Sequence, residues 1–161
     1  MTGRISLISI ATTMTFACAI AAEPESPGEY SSDLGRVYGG YHQVLTEKEV
    51  CDASVPATRA ANDKAFAAWQ AQHKALYQDL RRRVTAMIRA ASIDEKDYAR
   101  NLGKYEGAIL QERQDYREFL LKLEPDELRG QCQRMAGVLR SPEADLTKVY
   151  AAELEVIRKR K

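Results

Sequence analysis

At 161 residues the chain is the size of one domain, and 24 basic residues against 23 acidic ones make it nearly neutral. Such a balance leaves no global field to attract nucleic acid or an anionic lipid surface, so a nucleic-acid partner is set aside. Large apolar residues are thin, roughly a fifth of residues 22–161, which points to an elongated helical body that gains from a covalent staple.

Residues 1–21 read as a cleavable secretory signal peptide. Arg4 supplies the positive start, Ile5 to Ala17 carry no charge, and Ala19-Ile20-Ala21 fits the small-x-small rule for cleavage before Ala22. A permanent membrane anchor needs roughly 20 strongly apolar residues, and Thr and Ser dilute this segment. Acylation at Cys18 is disfavoured by the residues before it, Thr15-Phe16-Ala17. Residues 22–33 are acidic and Pro-rich at their start, cannot bury apolar surface, and are expected to form a disordered lead-in. Residues 34–161 form the expected single helical domain, located in the periplasm or secreted.

Export removes Cys18 and leaves Cys51 and Cys132, an even pair in an oxidising compartment. A disulfide between them closes a loop of about 80 residues and stabilises the fold by roughly 4 kcal/mol as an upper figure in the chain-entropy treatment. The rival readings are two reduced buried thiols or a metal pair. No histidine cluster supports the metal, and no cofactor is implied.

The apolar period is helical almost throughout. Leu34, Val37, Tyr38, Tyr41, Val44 and Leu45 mark one face of a first helix, which Gly35, Gly39 and Gly40 weaken. Thr46-Glu-Lys-Glu49 has the pattern of a capping box opening a short turn that carries Cys51. Pro56 suits the first turn of a second helix running to about Ala91, roughly 50 Å long. Ala61, Ala65, Ala68, Trp69, Gln72, Leu76, Leu80, Val84, Met87 and Ala91 mark its face. Ser92-Ile-Asp-Glu95 resembles a second capping box, opening a third helix with Tyr98, Leu102, Tyr105, Ile109, Tyr116, Phe119, Leu120 and Leu123 inward. Glu124-Pro125-Asp126 starts a fourth with Leu128, Cys132, Met135 and Leu139 inward. Ser141-Pro142-Glu143 starts a fifth with Leu146, Val149, Tyr150, Leu154 and Ile157 inward.

The architecture predicted is therefore all-α, with four to five helices built on a long antiparallel helical hairpin and stapled by one disulfide. The short link near Ser92 makes helices two and three the hairpin. Cys51 and Cys132 then fall at the same end of it, as a bridge requires.

Chemical candidates are sparse. His42 and His73 lie far apart and in no zinc spacing, so surface or half-buried roles are expected and no metal site. There is no GxSxG elbow or SxxK pair. Glu106, Glu112 and Asp115 read as a solvated helix face rather than a glycosidase pair. Arg81, Arg82 and Arg83 are the densest charge inside a helix, but three consecutive residues span about 200° and cannot all meet one ligand. The plain reading is arginines flanking the core stripe; the functional one is contact with an acidic partner or phosphate. Tyr38, Tyr41 and His42 beside Gly39-Gly40 form the other binding candidate, since such aromatics are enriched in interface hot spots. The competing reading docks Tyr38 and Tyr41 into the core. The cationic end Arg158 to Lys161 complements a helix dipole, with membrane contact the lesser expectation.

In outline the layout resembles two groups of small exported bacterial helical proteins. One is the periplasmic helical-hairpin stress chaperones and metal sensors, whose LTxxQ motif has its nearest counterpart in Leu45-Thr46-Glu-Lys-Glu49, with Glu in place of Gln and no second copy. The other is the disulfide-stapled helical immunity proteins. No motif carries over residue by residue, so neither assigns a site. The function expected is non-catalytic protein–protein binding in the bacterial envelope, of inhibitor, immunity or chaperone type, with another envelope or secreted protein as partner. The alternatives are a small cell-wall hydrolase and a structural or lipid-contacting envelope component.

Overall fold

The computed structural model describes residues 29–160. The expected signal peptide, residues 1–21, and residues 22–28 of the expected lead-in lie outside the described residues. The helices are α1 (Tyr30–Ser54), α2 (Arg59–Ala90), α3 (Glu95–Leu121), α4 (Pro125–Val138), α5 (Leu146–Val149) and α6 (Ala151–Lys159). Short 3-10 turns at Pro56–Thr58 and Pro142–Ala144 precede α2 and α5. There is no strand among the described residues.

Helix α1 is longer than predicted at both ends. It begins at Tyr30, so Tyr30 to Asp33 belong to the helix rather than to a disordered lead-in, and Asp33 is buried. It also runs straight through Thr46–Glu49, so Cys51 sits in its last turn and not in a loop. The cap-like side chains there have other partners. The Thr46 hydroxyl donates to the His42 carbonyl at 3.0 Å, Gln131 donates to Glu47 at 3.0 Å, and Arg113 donates to Glu49 at 2.6 Å. Tertiary contacts thus take up groups that a helix start would otherwise have used. Pro56 enforces the real stop, because it cannot continue the ladder and disfavours helix at the residue before it.

Along α2 the buried residues are Asn62, Ala65, Trp69, His73, Leu80, Val84 and Ile88. The stripe is rotated from the predicted one in its first half. Ala61 and Ala68 face solvent or its edge, while polar Asn62 and His73 are inside. The Asn62 amide is met locally, donating to the Cys132 carbonyl at 3.2 Å. His73 faces the Ala144 carbonyl and the Asp145 carboxylate. Trp69 donates its indole N–H to the same Ala144 carbonyl at 2.7 Å. His73 is therefore a core residue, not a surface one.

The start of α3 differs from the predicted capping box by two residues. Asp94 is the N-cap, accepting from the Asp97 amide at 2.8 Å, whereas the Ser92 hydroxyl donates back to the Ile88 carbonyl at 2.7 Å. Helix α3 is peripheral: only Ile109 and Leu120 are fully buried, and Phe119 is exposed. The predicted fifth helix is broken in two at Tyr150, and Val149 points outward.

The α2–α3 hairpin is present, but its two arms touch little beyond their link, because α1 lies in the groove between them. Helix α6 covers α1 from the remaining side. Two core clusters result. One surrounds the disulfide and includes Tyr41, Ala65, Trp69, Met135, Leu139 and Leu146. The other, toward the link, includes Leu34, Val37, Leu80, Val84, Leu154 and Ile157. Tyr150 packs against both. Cys51 and Cys132 form the predicted bridge, with Cα atoms 5.3 Å apart and both side chains buried.

Candidate ligand-binding cavity

Where α2 and α3 diverge above α1, they leave an open cavity of about 460 Å³. Helix α1 provides its floor through Tyr38 and His42, which share a face because they are four residues apart. Helix α2 contributes Arg81, Val84 and Thr85. Helix α3 contributes Tyr98, Leu102 and Tyr105, then Glu106, Ile109, Leu110 and Arg113. The walls are mostly aromatic or aliphatic, with charge confined to three residues.

The floor is held by stacked rings. Tyr38 lies parallel to Tyr77, with centroids 5.7 Å apart, and meets the His42 ring edge-on at 4.7 Å. On the α3 side, Arg113 ties the wall to α1 by donating to the Thr46 hydroxyl at 3.2 Å and to Glu49 at 2.6 Å. Arg117 joins the same carboxylate. At the far end Arg89 covers the Tyr98 ring at 3.5 Å. The cavity is thus preformed rather than a gap between mobile parts.

Three polar atoms here are closed to solvent and have no hydrogen-bond partner among the described residues: both ring nitrogens of His42 and the Tyr105 hydroxyl. Their environment keeps them uncharged. Burial, reinforced by the Arg113 charge, holds His42 below the ordinary histidine pKa. Burial, then the nearby Glu112 carboxylate, pushes the Tyr105 hydroxyl up to about 12. Burial and the Tyr77 hydroxyl raise Tyr38 as well. Each unmet buried group costs about 1–3 kcal/mol, so a ligand that supplies partners recovers that energy on binding.

The six binding candidates separate into different places. Tyr38, His42 and Arg81 come together at the cavity. Tyr41 does not: its ring is buried, stacked 4.2 Å from Tyr77 and 5.1 Å from Trp69, so it is a core anchor. Arg82 is exposed and pairs with Asp79. Arg83 pairs with Asp79 at 2.8 Å and donates to the carbonyls of Ile157 at 2.9 Å and Arg160 at 3.0 Å, clamping the end of α6. The divergence of the three arginines follows from their 200° spread, about 100° per residue. Arg81 alone of the three makes no ion pair among the described residues, and it sits on the cavity wall. The basic end is partly engaged too, with Arg160 over the Tyr30 ring at 4.6 Å and Lys159 2.7 Å from Glu155.

Sequence reasoning missed Tyr105, Glu106 and Arg113 as members of this site. Tyr105 read as core because it falls on the apolar period of α3, and only the wedge between α2 and α3 leaves its hydroxyl without a partner. The one signal was the run Tyr98, Leu102, Tyr105 and Ile109, rich in aromatics for a helix face. Among the described residues no group of three metal-ligating side chains is assembled, and no helix is long and apolar enough to cross a membrane. Comparison with protein-family models, with curated proteins and with solved structures gives no match, so the chemistry of the site rests on its own geometry.

Proposed function

We propose that this chain is a non-catalytic binding protein of the bacterial envelope, exported to the periplasm or the medium, which engages a partner protein through the α1–α2–α3 cavity. The observation that carries the reading is an open, mostly aromatic and aliphatic cavity between three helices, whose lining residues His42 and Tyr105 bear buried polar atoms with no partner among the described residues. A partner that inserts one anchor group gains apolar contact and hydrogen bonds together, which is how a few hot-spot residues come to dominate an interface. Export is supported by the pattern of residues 1–21, and a buried disulfide is consistent with an oxidising compartment.

The test is capture from envelope fractions by the chain from Ala22 onward, compared with two variants at the cavity mouth, Arg81→Glu and Leu110→Asp. Both side chains are exposed, so the fold survives and circular dichroism checks it. A partner retained by the wild-type chain and lost with both variants supports the reading. A partner held equally by all three places the interface elsewhere. Release of soluble fragments from purified peptidoglycan by the wild-type chain would replace binding with hydrolysis.

A further inference from the structure

If the cavity is the binding site, its chemistry narrows the occupant. The uncommitted groups include donors that a ligand can meet. Tyr105 retains its O–H, and neutral His42 offers one N–H beside one acceptor nitrogen. Arg81 brings a guanidinium with no carboxylate partner among the described residues, whereas Arg113 is already held by Glu49 and Thr46. Among the described residues Glu106 is the only carboxylate on the wall. Below these groups Val84, Leu102 and Ile109 form a hydrocarbon surface. The volume of about 460 Å³ lies in the range of small-molecule sites.

We propose that the occupant is an apolar group bearing a single carboxylate, an aryl or short alkyl acid, with its hydrocarbon against Val84, Leu102 and Ile109 and its carboxylate facing Arg81, His42 and Tyr105. A carboxylate only accepts hydrogen bonds, so it can meet the Tyr105 O–H, the His42 N–H and the Arg81 guanidinium together. The His42 ring nitrogens and the Tyr105 hydroxyl are closed to solvent in this conformation, so the proposal requires both rings to turn toward the carboxylate on binding. Glu106 on the same wall and Glu112 near the Tyr105 hydroxyl disfavour a second negative charge on the ligand. The same chemistry is offered by a free acid and by the C-terminal apolar residue of a partner chain.

The experiment uses isothermal calorimetry and proton NMR on the chain from Ala22 onward. The probes are 3-phenylpropanoate, its uncharged amide, and a short peptide ending in Phe as the free acid and as the amide. The acid forms should bind at least about tenfold more tightly than their amides. Arg81→Ala and Tyr105→Phe should each weaken the acid about tenfold, and Arg82→Ala should change nothing. The His42 ring protons should shift on binding while those of His73, buried elsewhere, stay. Tyr105→Phe removes an atom with no partner, so it keeps the fold. Tighter binding of the free acid identifies a small molecule as the source, tighter binding of the peptide acid identifies a chain terminus, and either supports the shared chemistry. Equal binding of acid and amide, or an acid unaffected by Arg81→Ala, overturns the carboxylate while leaving the cavity as a site. No binding of any probe and no His42 shift at millimolar concentration overturns the carboxylate and removes the support for the cavity as the binding site as well.

Discussion

Gly40→Ala tests how the end of the chain is seated on α1. An alanine in a helix interior is normally more stable than glycine by about 0.5–1 kcal/mol. At Gly40 the added Cβ would lie 2.7 Å from two ring carbons of Tyr150 and closer still to its hydroxyl. Tyr150 marks the break between α5 and α6 and packs on both core clusters, so its ring cannot move without displacing them. Overpacking of this kind costs about 1–3 kcal/mol. Set against the helix gain, the net effect runs from about zero to a loss of about 2.5 kcal/mol, or up to roughly 9 °C in Tm for a domain of this size. Gly35, in the same helix, has nothing within 4 Å of the place a methyl group would take, so Gly35→Ala should instead gain about 0.5–1 kcal/mol. Urea unfolding followed by circular dichroism gives both values. The double variant Gly40→Ala with Tyr150→Ala should show a coupling of at least about 1 kcal/mol, since removing the ring removes the clash. If Gly40→Ala stabilises as much as Gly35→Ala, Tyr150 does not rest on α1 and this account of the packing is wrong.

Replacing Cys51 and Cys132 together by Ala should lower stability by up to about 4 kcal/mol, because the bridge joins residues 81 apart in sequence; urea midpoints of the variant and of the oxidised chain decide it, and unchanged midpoints would count against the staple. Tyr105→Phe should leave stability unchanged or raise it by about 1 kcal/mol, since it deletes a buried hydroxyl that has no partner; a loss of the usual hydrogen-bond size would mean that the hydroxyl is engaged. Burial holds His42 and His73 below the ordinary value of 6.5, with Arg113 adding to the effect at His42 and Asp145 opposing it at His73. The unfolded chain therefore takes up protons first as pH falls through 6.5, so stability should be level above that pH and decline below it until the folded-state values are passed. A urea midpoint that stays constant from neutral pH down to about 5, still above the ordinary carboxylate range, would refute this. Asp145, held low first by its hydrogen bond from Thr147, should add a separate loss only at more acidic pH.

The helical class, the two long helices, the hairpin link and the disulfide pairing could all be read from the chain. Each depends on local signals: the apolar period, proline and cap residues, and the pair of cysteines that lies outside residues 1–21. Cap patterns alone misled. Thr46 and Ser92 each have the residue types of a helix start, yet both hydroxyls donate to the carbonyl four residues back: α1 runs on through Thr46, and Asp94 takes the cap position at α3. The path of α1 through the groove of the hairpin is a long-range choice that no local pattern contains. That choice decides the rest. It buries Tyr41 against Trp69 and leaves Tyr38 and His42 half-buried at the floor of the cavity on the same helix. It also opens the wedge in which Tyr105 loses its hydrogen-bond partner and Arg81 is left without an ion pair. Residue types and their spacing determine which helices form and which face is apolar. Only the packing of three helices determines which polar atoms are left unmet around the cavity.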